Sequence, residues 1–431
     1  DVFRIAPSGA PASCLTCGLS SERGARSGEL SPSGELLLYK TGEIGARGAL
    51  QILHLASRRV VHVFDQVDGP RWSADGRRVI FISGQDGTPD LWQIEIDPAT
   101  GNPAGEPERL TSGLAVSSFA IAPGDQQILA VTQKSHGNLW TFPGSAERVT
   151  DLAAGERWTT GQFLDTRGRW LPDGGGVVFQ SNRRGSLDIW ALASPTGQLS
   201  RLTSGAGAEH RPRVAPDGQW IAFDVIDSAG EYVHVMRRDG SGVRLPDDGW
   251  RQRFSMTCCA AWSPDGTRLA MHINASGTAI VRINPTSGAA IETTEIDLPG
   301  QADEYHRWSP DGTRVVYEAL TDGTWDLWVA RPDGSESHRL TNSPGSERSA
   351  AWHPRLPFIY FESDGRTIWR VPIDASARAT GPPERWLTLP DRLEAASDGI
   401  DFTANGDRIL VTLLERASDI WLVESDSGAA R

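Results

Sequence analysis

A four-residue turn that recurs along the chain limits what this sequence can fold into. Its fullest copy is Ser309-Pro310-Asp311-Gly312, in which proline fixes φ, aspartate bonds the local backbone and glycine supplies a positive φ. A β-strand must therefore end at each copy. The other copies begin at Ser31, Ser73, Ala122, Leu171, Ala215, Ser263, His353 and Thr403, which makes nine in all. They stand roughly 42 to 50 residues apart.

Between successive turns lie alternating runs of apolar and polar residues that are typical of strands. In the copy from His306 to Gly334 these runs are Arg314–Glu318 and Asp326–Ala330, and the second run opens with an Asp-Leu-Trp signature. The signature recurs in phase with the turn, at Asp90, Asn138, Asp188 and Asp419 among others. A period of this length is that of four-stranded propeller blades. The chain is therefore predicted to be all-β, with most of its sixteen tryptophans packed in blade cores.

The paired signature, S-P-D-G followed by D-[IL]-W and then R-L-T, resembles the WD-like repeat of the TolB-type β-propeller family. Dipeptidyl peptidases, prolyl oligopeptidases and tricorn proteases carry similar propeller domains. The resemblance covers essentially the whole chain and implies the fold. It does not imply one function. It covers the propeller only, without the TolB amino-terminal α/β domain, and we therefore do not expect partnership with the Tol-Pal system to carry over.

The repeats predict a single domain over residues 1–431, a β-propeller of eight or nine four-stranded blades. The nine units lie near 28–64, 70–111, 117–150, 169–203, 212–245, 260–296, 306–341, 350–387 and 399–423. Residues 1–17 look like the outer strands of a blade, and the last unit lacks an outermost strand. We therefore expect strands from both termini to close the ring, which leaves no open sheet edge.

Charge and hydropathy bear on partners and location. The chain carries 42 basic and 55 acidic residues, a net charge of −13, which argues against nucleic-acid binding. No apolar run approaches the ~20 residues that span a bilayer, so this chain is not expected to insert into a membrane. Because it begins with Asp1 rather than methionine, we expect that a signal segment has been removed. The predicted location is periplasmic or extracellular, in a bacterium.

Four cysteines form two local pairs, Cys14 with Cys17 and Cys258 with Cys259. Haem attachment is not supported, because no histidine follows Cys17. We expect local disulfides in an oxidising compartment. Inert thiols are one alternative, and a metal site is another if the two pairs meet in space.

Motifs of catalysis and cofactor binding are missing from the sequence. It contains no G-x-S-x-G nucleophile elbow and no H-E-x-x-H, EF-hand or phosphate-binding glycine loop. We therefore assign no catalytic residue, no metal ligand and no cofactor. Enzyme activity stays open in one form, a lyase or glycosidase that acts on an anionic sugar in the axial pocket, with Glu29 and Asp401 as a catalytic pair or as plain ion-pair partners.

Basic residues recur immediately before the turn, on the strands expected to line the axial channel. The predicted ligand-binding residues are Arg71, Arg169, Arg213, Arg307, Arg211, His210 and His306. Several guanidinium groups at one mouth would suit a carboxylate or phosphate ligand. The alternative is that each arginine pairs with an aspartate or glutamate of a neighbouring blade.

The favoured hypothesis from the sequence is a non-enzymatic, extracytoplasmic binding or assembly module, a scaffold for protein–protein interaction. A protein or peptide partner is expected, and an anionic glycan is possible. Two alternatives remain, the enzyme acting on an anionic sugar and the sensor domain of a larger membrane or signalling protein.

Overall fold

The computed structural model describes residues 2–4, 13–17, 25–41, 48–84, 89–124, 127–145, 148–205, 207–274, 277–299, 301–302 and 305–424. These residues form two compact units. Unit 1 comprises residues 1–134 and 417–431, and unit 2 comprises residues 135–416. Nearly all regular structure in the described part is β-strand, as the turn repeat predicted, and no helix there is long and apolar enough to cross a membrane.

Unit 1 begins with ten strands. They are β1 (Phe3–Arg4), β2 (Ser13–Cys14), β3 (Ala25–Leu30), β4 (Leu36–Thr41), β5 (Gly48–His54), β6 (Val60–Trp72), β7 (Arg78–Ser83), β8 (Asp90–Glu95), β9 (Glu108–Arg109) and β10 (Val116–Ile121). Strands β3 to β9 form one continuous seven-stranded sheet, because β6 is long enough to end one repeat and begin the next. Strand β11 (Gln127–Pro143) follows and contributes residues to both units.

The remaining strands belong to unit 2, except that the last residues of β34 belong to unit 1. They are β12 (Glu156–Arg157), β13 (Thr166–Trp170), β14 (Val177–Arg184), β15 (Ser186–Leu192), β16 (Leu199–Arg201), β17 (Ala208–Val214), β18 (Trp220–Asp227), β19 (Gly230–Arg237), β20 (Thr257–Trp262), β21 (Arg268–Ile273), β22 (Gly277–Ile283), β23 (Ala290–Ile296), β24 (Gln301–Ala302), β25 (Arg307–Trp308), β26 (Val315–Thr321), β27 (Thr324–Ala330), β28 (His338–Arg339), β29 (Glu347–Trp352), β30 (Phe358–Ser363), β31 (Thr367–Pro372), β32 (Glu384–Thr388), β33 (Leu393–Phe402) and β34 (Arg408–Glu424). Two short helices complete the unit, a 3₁₀ turn over Leu152–Ala154 and α1 over Trp250–Arg253.

The recurring turn has the chemistry expected of it. At Gly312 the backbone φ is 71°, and the Gly312 N–H donates to the Ser309 carbonyl at 2.9 Å. The Ser309 hydroxyl donates to the Asp311 carboxylate and accepts from the Arg314 N–H. These bonds are local, and each turn therefore ends one strand and starts the next without help from distant residues.

The Asp-[Ile/Leu]-Trp signature is blade core in most copies. Ile189 and Leu327 are fully buried, and Trp190 is 7% exposed. The last copy differs, since Ile420 is 74% exposed and Trp421 is 47% exposed. The signature therefore marks a strand in every copy, but it marks a core position only where another sheet covers it.

Within the described part of unit 2, six sheets follow one another in a closed cycle. We call β13, β17, β20, β25, β29 and β33 the inner strands. Each pairs with the strand that follows it in the chain, and β24 also pairs with β26. Each inner strand packs against the next, and β33 packs against β13. Arg408 of β34 donates to the Thr141 hydroxyl of β11 at 2.9 Å, and β12 pairs with β11 at Trp140.

These antiparallel sheets agree with the predicted β-propeller of four-stranded blades, and the single domain over residues 1–431 stays a prediction. The last sheet of unit 2 is completed by β11 and β12, whereas the repeat pattern predicted closure by residues 1–17. Within the described part of that segment, Phe3 and Arg4 pair with Cys14 and Ser13. Every repeat carries the same local signature, and the signature therefore does not specify which repeats pair. Contacts between residues far apart in the chain decide which repeats close on one another.

Candidate functional site

A β-bulge interrupts most inner strands just before the turn and brings side chains to the centre of unit 2. The register of each strand shifts across the bulge. A bulge adds one unpaired residue and re-aims the side chains beside it. Non-glycine residues there adopt a left-handed backbone, which is uncommon. They are Arg167, Arg211, Cys259, Ser349 and Asp398, with φ between 53° and 63°.

Three of the predicted arginines converge on one carboxylate, that of Asp398. The Arg169 Nη2 atom lies 2.6 Å from Asp398 Oδ1. Arg213 donates to Asp398 Oδ2, and Arg307 donates to Asp398 Oδ1. The Asp398 side chain is fully buried. We call these four residues the arginine cluster. Guanidinium groups from three different sheets therefore share one acceptor supplied by β33.

Charge dominates the ionisation of the arginine cluster. Burial alone would raise the pKa of Asp398, but the charges of Arg169, Arg213 and Arg307 outweigh it and hold that pKa well below its usual range. Burial, together with the neighbouring Arg213 charge, lowers the pKa of Arg169 to about 9. Burial also raises the pKa of Asp401, against the opposing effect of Arg169. Three guanidinium groups thus face one firmly ionised carboxylate, which leaves the cluster net positive.

The two candidate acids, Glu29 and Asp401, have the same structural task in their respective units. The Trp72 N–H donates to Glu29 Oε2 at 3.1 Å, and the Trp170 N–H donates to Asp401 Oδ2 at 2.8 Å. In both cases the donor is the tryptophan before the turn of another repeat. Each carboxylate thereby ties the strand before one turn to the strand before another, a structural role that favours plain partners over a catalytic pair.

The remaining predicted ligand residues lie in different surroundings. Arg71 belongs to unit 1, on β6, and is exposed. Arg211 contacts Glu231 Oε1 at 2.5 Å and Asp224 Oδ2 at 3.3 Å. His210, in the same sheet, is only 7% exposed. The structure therefore assembles Arg169, Arg213 and Arg307, while Arg211 pairs with carboxylates of its own sheet.

His306 lies in the core of unit 2. It is fully buried, and its Nε2 atom lies 3.0 Å from the Thr278 hydroxyl. Burial, helped by nearby His272 and Arg307, lowers the pKa of His306 to about 3. Since the unfolded chain binds a proton near pH 6.5, the stability that neutral His306 provides is present above that pH. It is lost as the pH falls toward the folded pKa.

Replacing His306 by asparagine should therefore change how stability depends on pH. We expect the stability advantage of the unmodified chain over His306→Asn to shrink by about 1 kcal/mol or more between about pH 6 and pH 4. Urea unfolding at several pH values measures it. His62→Asn is the control, because the His62 side chain is 53% exposed. A stability difference that stays constant across this pH range would contradict the lowered pKa of His306 in the folded chain.

Asp398 was missed by the sequence analysis, which placed only Asp401 at this end of β33. The sequence did contain a signal for Asp398. Three arginines stand at equivalent positions before their turns, and buried arginines need a carboxylate partner. The repeat that ends at the Thr403 turn has no arginine at that position, and Asp398 lies shortly before it. The register shift of β33, between Ala395 and Ile400, is longer than the others and places Asp398 among the arginines.

A pocket of about 210 Å³ lies beside the arginine cluster in unit 2. Its lining residues are Arg307, Trp308, Pro310, Ala351, Trp352, Pro354, Asp401, Phe402, Thr403 and Ala404. Aromatic and proline side chains dominate the walls, and the charged groups are Arg307 and Asp401. Ligand sites are usually apolar pockets with a few polar groups, and this one has that lining but is smaller than the roughly 300–1,000 Å³ typical of them.

The two cysteine pairs differ in the structure. Cys14 and Cys17 form a disulfide. Cys258 and Cys259 were expected to form one as well, but they are buried thiols that no disulfide joins. Adjacent residues have Cα atoms about 3.8 Å apart, which is closer than the roughly 4.4–6.8 Å that disulfides usually require.

Comparisons with known proteins bear on the fold. No family model matches the chain. An uncharacterized protein of Agrobacterium fabrum is 27% identical over 223 residues, which cover 50% of this chain and 71% of that protein. A protein TolB homolog of Chlorobium luteolum is 28% identical over 108 residues, 23% of this chain and 24% of that protein.

A solved structure described as a putative TolB from Agrobacterium tumefaciens superimposes with a TM-score of 0.51 at 18% sequence identity. The match covers 64% of this chain and 98% of that one. The resemblance seen in the repeats and the observed antiparallel sheets agree with this match. The chain has the TolB-like β-propeller fold.

Proposed function

We propose that this chain is a non-enzymatic, extracytoplasmic binding module that takes a protein or peptide partner at the pocket beside the arginine cluster. The observation that carries the proposal is the pocket itself, with aromatic walls next to a net positive group of buried charges. An acidic side chain flanked by apolar residues is the partner chemistry that fits both features.

The pocket walls are held in place before any partner arrives. The Trp352 indole N–H donates to the Arg307 carbonyl at 3.0 Å, and the Trp308 indole N–H donates to the Ala261 carbonyl at 3.0 Å. Rigid aromatic side chains provide contact area with little loss of conformational entropy. These hydrogen bonds support a preformed site.

Arg307 supports an acidic group in the partner. Its side chain is 16% exposed, whereas Arg169 and Arg213 are buried. A guanidinium group can donate to two carboxylates at once, because it carries five N–H donors. Arg307 can therefore remain bonded to Asp398 and still meet a carboxylate that enters the pocket.

The lining residues favour binding over catalysis. They include no histidine, cysteine or serine. The Asp401 carboxylate already accepts the Trp170 N–H, and the Thr403 hydroxyl donates to Asp407. A lyase or glycosidase needs a positioned acid and base. A location outside the cytoplasm is supported by the Cys14–Cys17 disulfide, since such bonds persist mainly in oxidising compartments.

The test fills the pocket without touching the arginine cluster. Ala404 is an exposed lining residue in the second position of its turn. We expect Ala404→Trp to weaken binding of the peptide acetyl-Phe-Glu-Phe-amide at least tenfold by calorimetry. The glutamine version of the peptide should bind the unmodified chain more weakly. Ala74→Trp, at the same turn position of another repeat and in unit 1, is the matched control.

Two results would count against this function. Equal binding of the acidic and glutamine peptides would show that Arg307 does not recognise a carboxylate of the partner. Tighter binding of trigalacturonate, with release of shorter products, would favour the enzyme acting on an anionic sugar.

A further inference from the structure

Two places where consecutive sheets of unit 2 pack together each hold two buried acids. At the first, Asp188 on β15 lies against Glu209 on β17. At the second, Asp326 on β27 lies near Glu347 on β29. In both cases the two strands pack against each other, and all four residues are at most 4% exposed. We call these places the first and second acid junctions. Neither contributes to the arginine cluster or lines the pocket described above.

The repeat places both acid pairs at the same positions. Each aspartate opens the Asp-[Ile/Leu]-Trp signature, and each glutamate stands six residues after the threonine of the following R-L-T segment, Thr203 or Thr341. The hydroxyl of that threonine accepts the N–H of the residue after the aspartate, at 2.9 Å in the first junction and 3.0 Å in the second. The two junctions therefore share one local frame.

At the first junction, two carboxyl oxygens lack a hydrogen-bond donor. Arg201 Nη2 donates to Asp188 Oδ1 at 2.8 Å, and the Gly205 N–H donates to Glu209 Oε1 at 2.9 Å. Asp188 Oδ2 and Glu209 Oε2 are buried without a partner. The two side chains lie within hydrogen-bonding reach of each other, but two carboxylates offer acceptors only. A proton on one of them supplies the missing donor.

The second junction repeats this arrangement. Arg339 Nη2 donates to Asp326 Oδ2 at 2.7 Å, and Arg339 Nη1 lies 3.6 Å from Asp322 Oδ2, whose side chain is 84% exposed. Asp326 Oδ1 and both carboxyl oxygens of Glu347 are buried without a partner. Leaving buried polar atoms without partners costs free energy. A protonated Glu347 brings a donor to this group of acceptors.

Charge balance favours one proton at each acid junction. If Glu209 were ionised, two carboxylates would face the single guanidinium group of Arg201, and an uncompensated buried charge is costly. A protonated Glu209 leaves Asp188 and Arg201 as one balanced pair. The same balance applies to the second junction, where the guanidinium group is that of Arg339. Among the described residues, neither glutamate forms an ion pair of its own.

A third copy of the repeat has an acid at the same position, but its surroundings differ. The residue six positions after Thr159 is Asp165, and both of its carboxylate oxygens accept from Arg183 Nη2 at 2.6 Å. The signature of that copy begins with Asn138 instead of aspartate. Asp165 thus has its own guanidinium partner and an uncharged residue at the signature position, whereas the glutamates of the two acid junctions each meet a second acid.

Burial, together with the Asp188 carboxylate, raises the pKa of Glu209. Burial, together with the Asp326 carboxylate, raises the pKa of Glu347. We propose that Glu209 and Glu347 each carry a proton in the folded chain, at pH values where exposed glutamates are ionised, and donate it in a hydrogen bond to the facing aspartate. Raising the pH releases the protons to solvent and leaves two carboxylates against one guanidinium group at each junction. The junctions thus form pH-sensitive contacts between sheets, independent of the partner proposed for the pocket.

The direction of the pH dependence follows from the raised pKa values. A glutamate of the unfolded chain titrates near pH 4.3, and the folded chain therefore binds these protons more tightly. The stability that the protons contribute is fully present below about pH 4.3, and it is lost as the pH rises through the folded pKa.

The double variant Glu209→Gln/Glu347→Gln tests the proposal, because glutamine is uncharged and its amide N–H can replace the carboxyl O–H. Urea unfolding of this variant and of the unmodified chain is compared between about pH 4 and pH 8. We expect the unfolding constant of the unmodified chain, divided by that of the variant, to rise about tenfold or more over this range. Glu292→Gln is the control and should leave the ratio nearly constant, since its side chain is 61% exposed. Asp165→Asn, at the same repeat position, should lose stability near neutral pH because it breaks the pair with Arg183.

Infrared spectroscopy detects the protons directly. A protonated carboxyl group has a C=O stretching band that carboxylates lack, and at about pH 5.5 this band should be weaker in the double variant than in the unmodified chain or in Glu292→Gln. Each single variant should remove part of it. An unchanged band would overturn the proposal. So would a double variant that fails to fold or is less stable than the unmodified chain at pH 8, because an amide should substitute for a protonated acid.

Discussion

Replacing Asp398 by asparagine should lower the free energy of unfolding by about 3 to 5 kcal/mol, the usual effect of removing one partner from a buried ion pair. Asparagine keeps the size of the side chain but removes its charge, so Arg169 and Arg213 remain buried without a counter-charge. Both arginines are at most 5% exposed. Urea unfolding at neutral pH measures the change.

The same loss should depend on pH in a defined direction. The pKa of Asp398 is held well below its usual range in the folded chain. The stability it contributes is therefore present above the unfolded pKa, about 3.9, and disappears as the pH falls through the lower folded pKa. The difference between the unmodified chain and Asp398→Asn should shrink in acid.

Asp391→Asn is the matched control for Asp398→Asn. Asp391 also pairs with an arginine, Arg366, but its side chain is 96% exposed. Exposed pairs usually contribute 0 to about 1 kcal/mol. An Asp398→Asn chain that is no less stable than Asp391→Asn would show that the arginine cluster does not stabilise unit 2.

The second large effect is expected from the double variant Arg169→Gln/Arg213→Gln. Of the three arginines that contact Asp398, this change leaves Arg307, and stability should fall by roughly 1 to 3 kcal/mol. Melting and binding of the acidic peptide are measured on the same sample. If the arginines serve recognition instead, the fold should keep its stability while peptide binding is lost.

A mutant cycle separates these outcomes. Residues that share one network do not contribute additively, and Asp398→Asn should therefore cost less in the double-arginine background than in the unmodified chain. The control is Arg238→Gln/Arg253→Gln, since these arginines pair with Asp173 and Glu295 and are about half exposed. Additive costs in the cycle would mean that the three arginines act independently of Asp398.

The two variants bear on the alternatives that the sequence left open for the arginines. One alternative paired each arginine with an acid of a neighbouring blade. The structure instead pairs Arg169, Arg213 and Arg307 with one shared carboxylate, Asp398 of β33, and of their strands only β13, which carries Arg169, packs directly against β33. It also leaves Arg307 at the edge of a pocket, as the other alternative requires. One residue can serve both tasks, because a guanidinium group has donors on more than one edge.

Local chemistry was predictable from the sequence alone. The strand ends followed from turns such as Ser309–Gly312, whose hydrogen bonds join residues at most five positions apart. The antiparallel pairing followed from alternation, as in β26 and β27. The TolB-like fold followed from the recurrence of both. These features depend on neighbouring residues, and a sequence displays its neighbours directly.

Tertiary structure alone decided which repeats close on one another and what the buried charges meet. Asp398 meets Arg169, which is 229 positions away in the chain, and Cys259 meets Asp224 across two sheets. No local pattern encodes such pairs, because a bulge of one or two residues changes which side chain faces the centre. The repeat thus determined the strands of this protein, and long-range closure of the sheets determined its pocket and its arginine cluster.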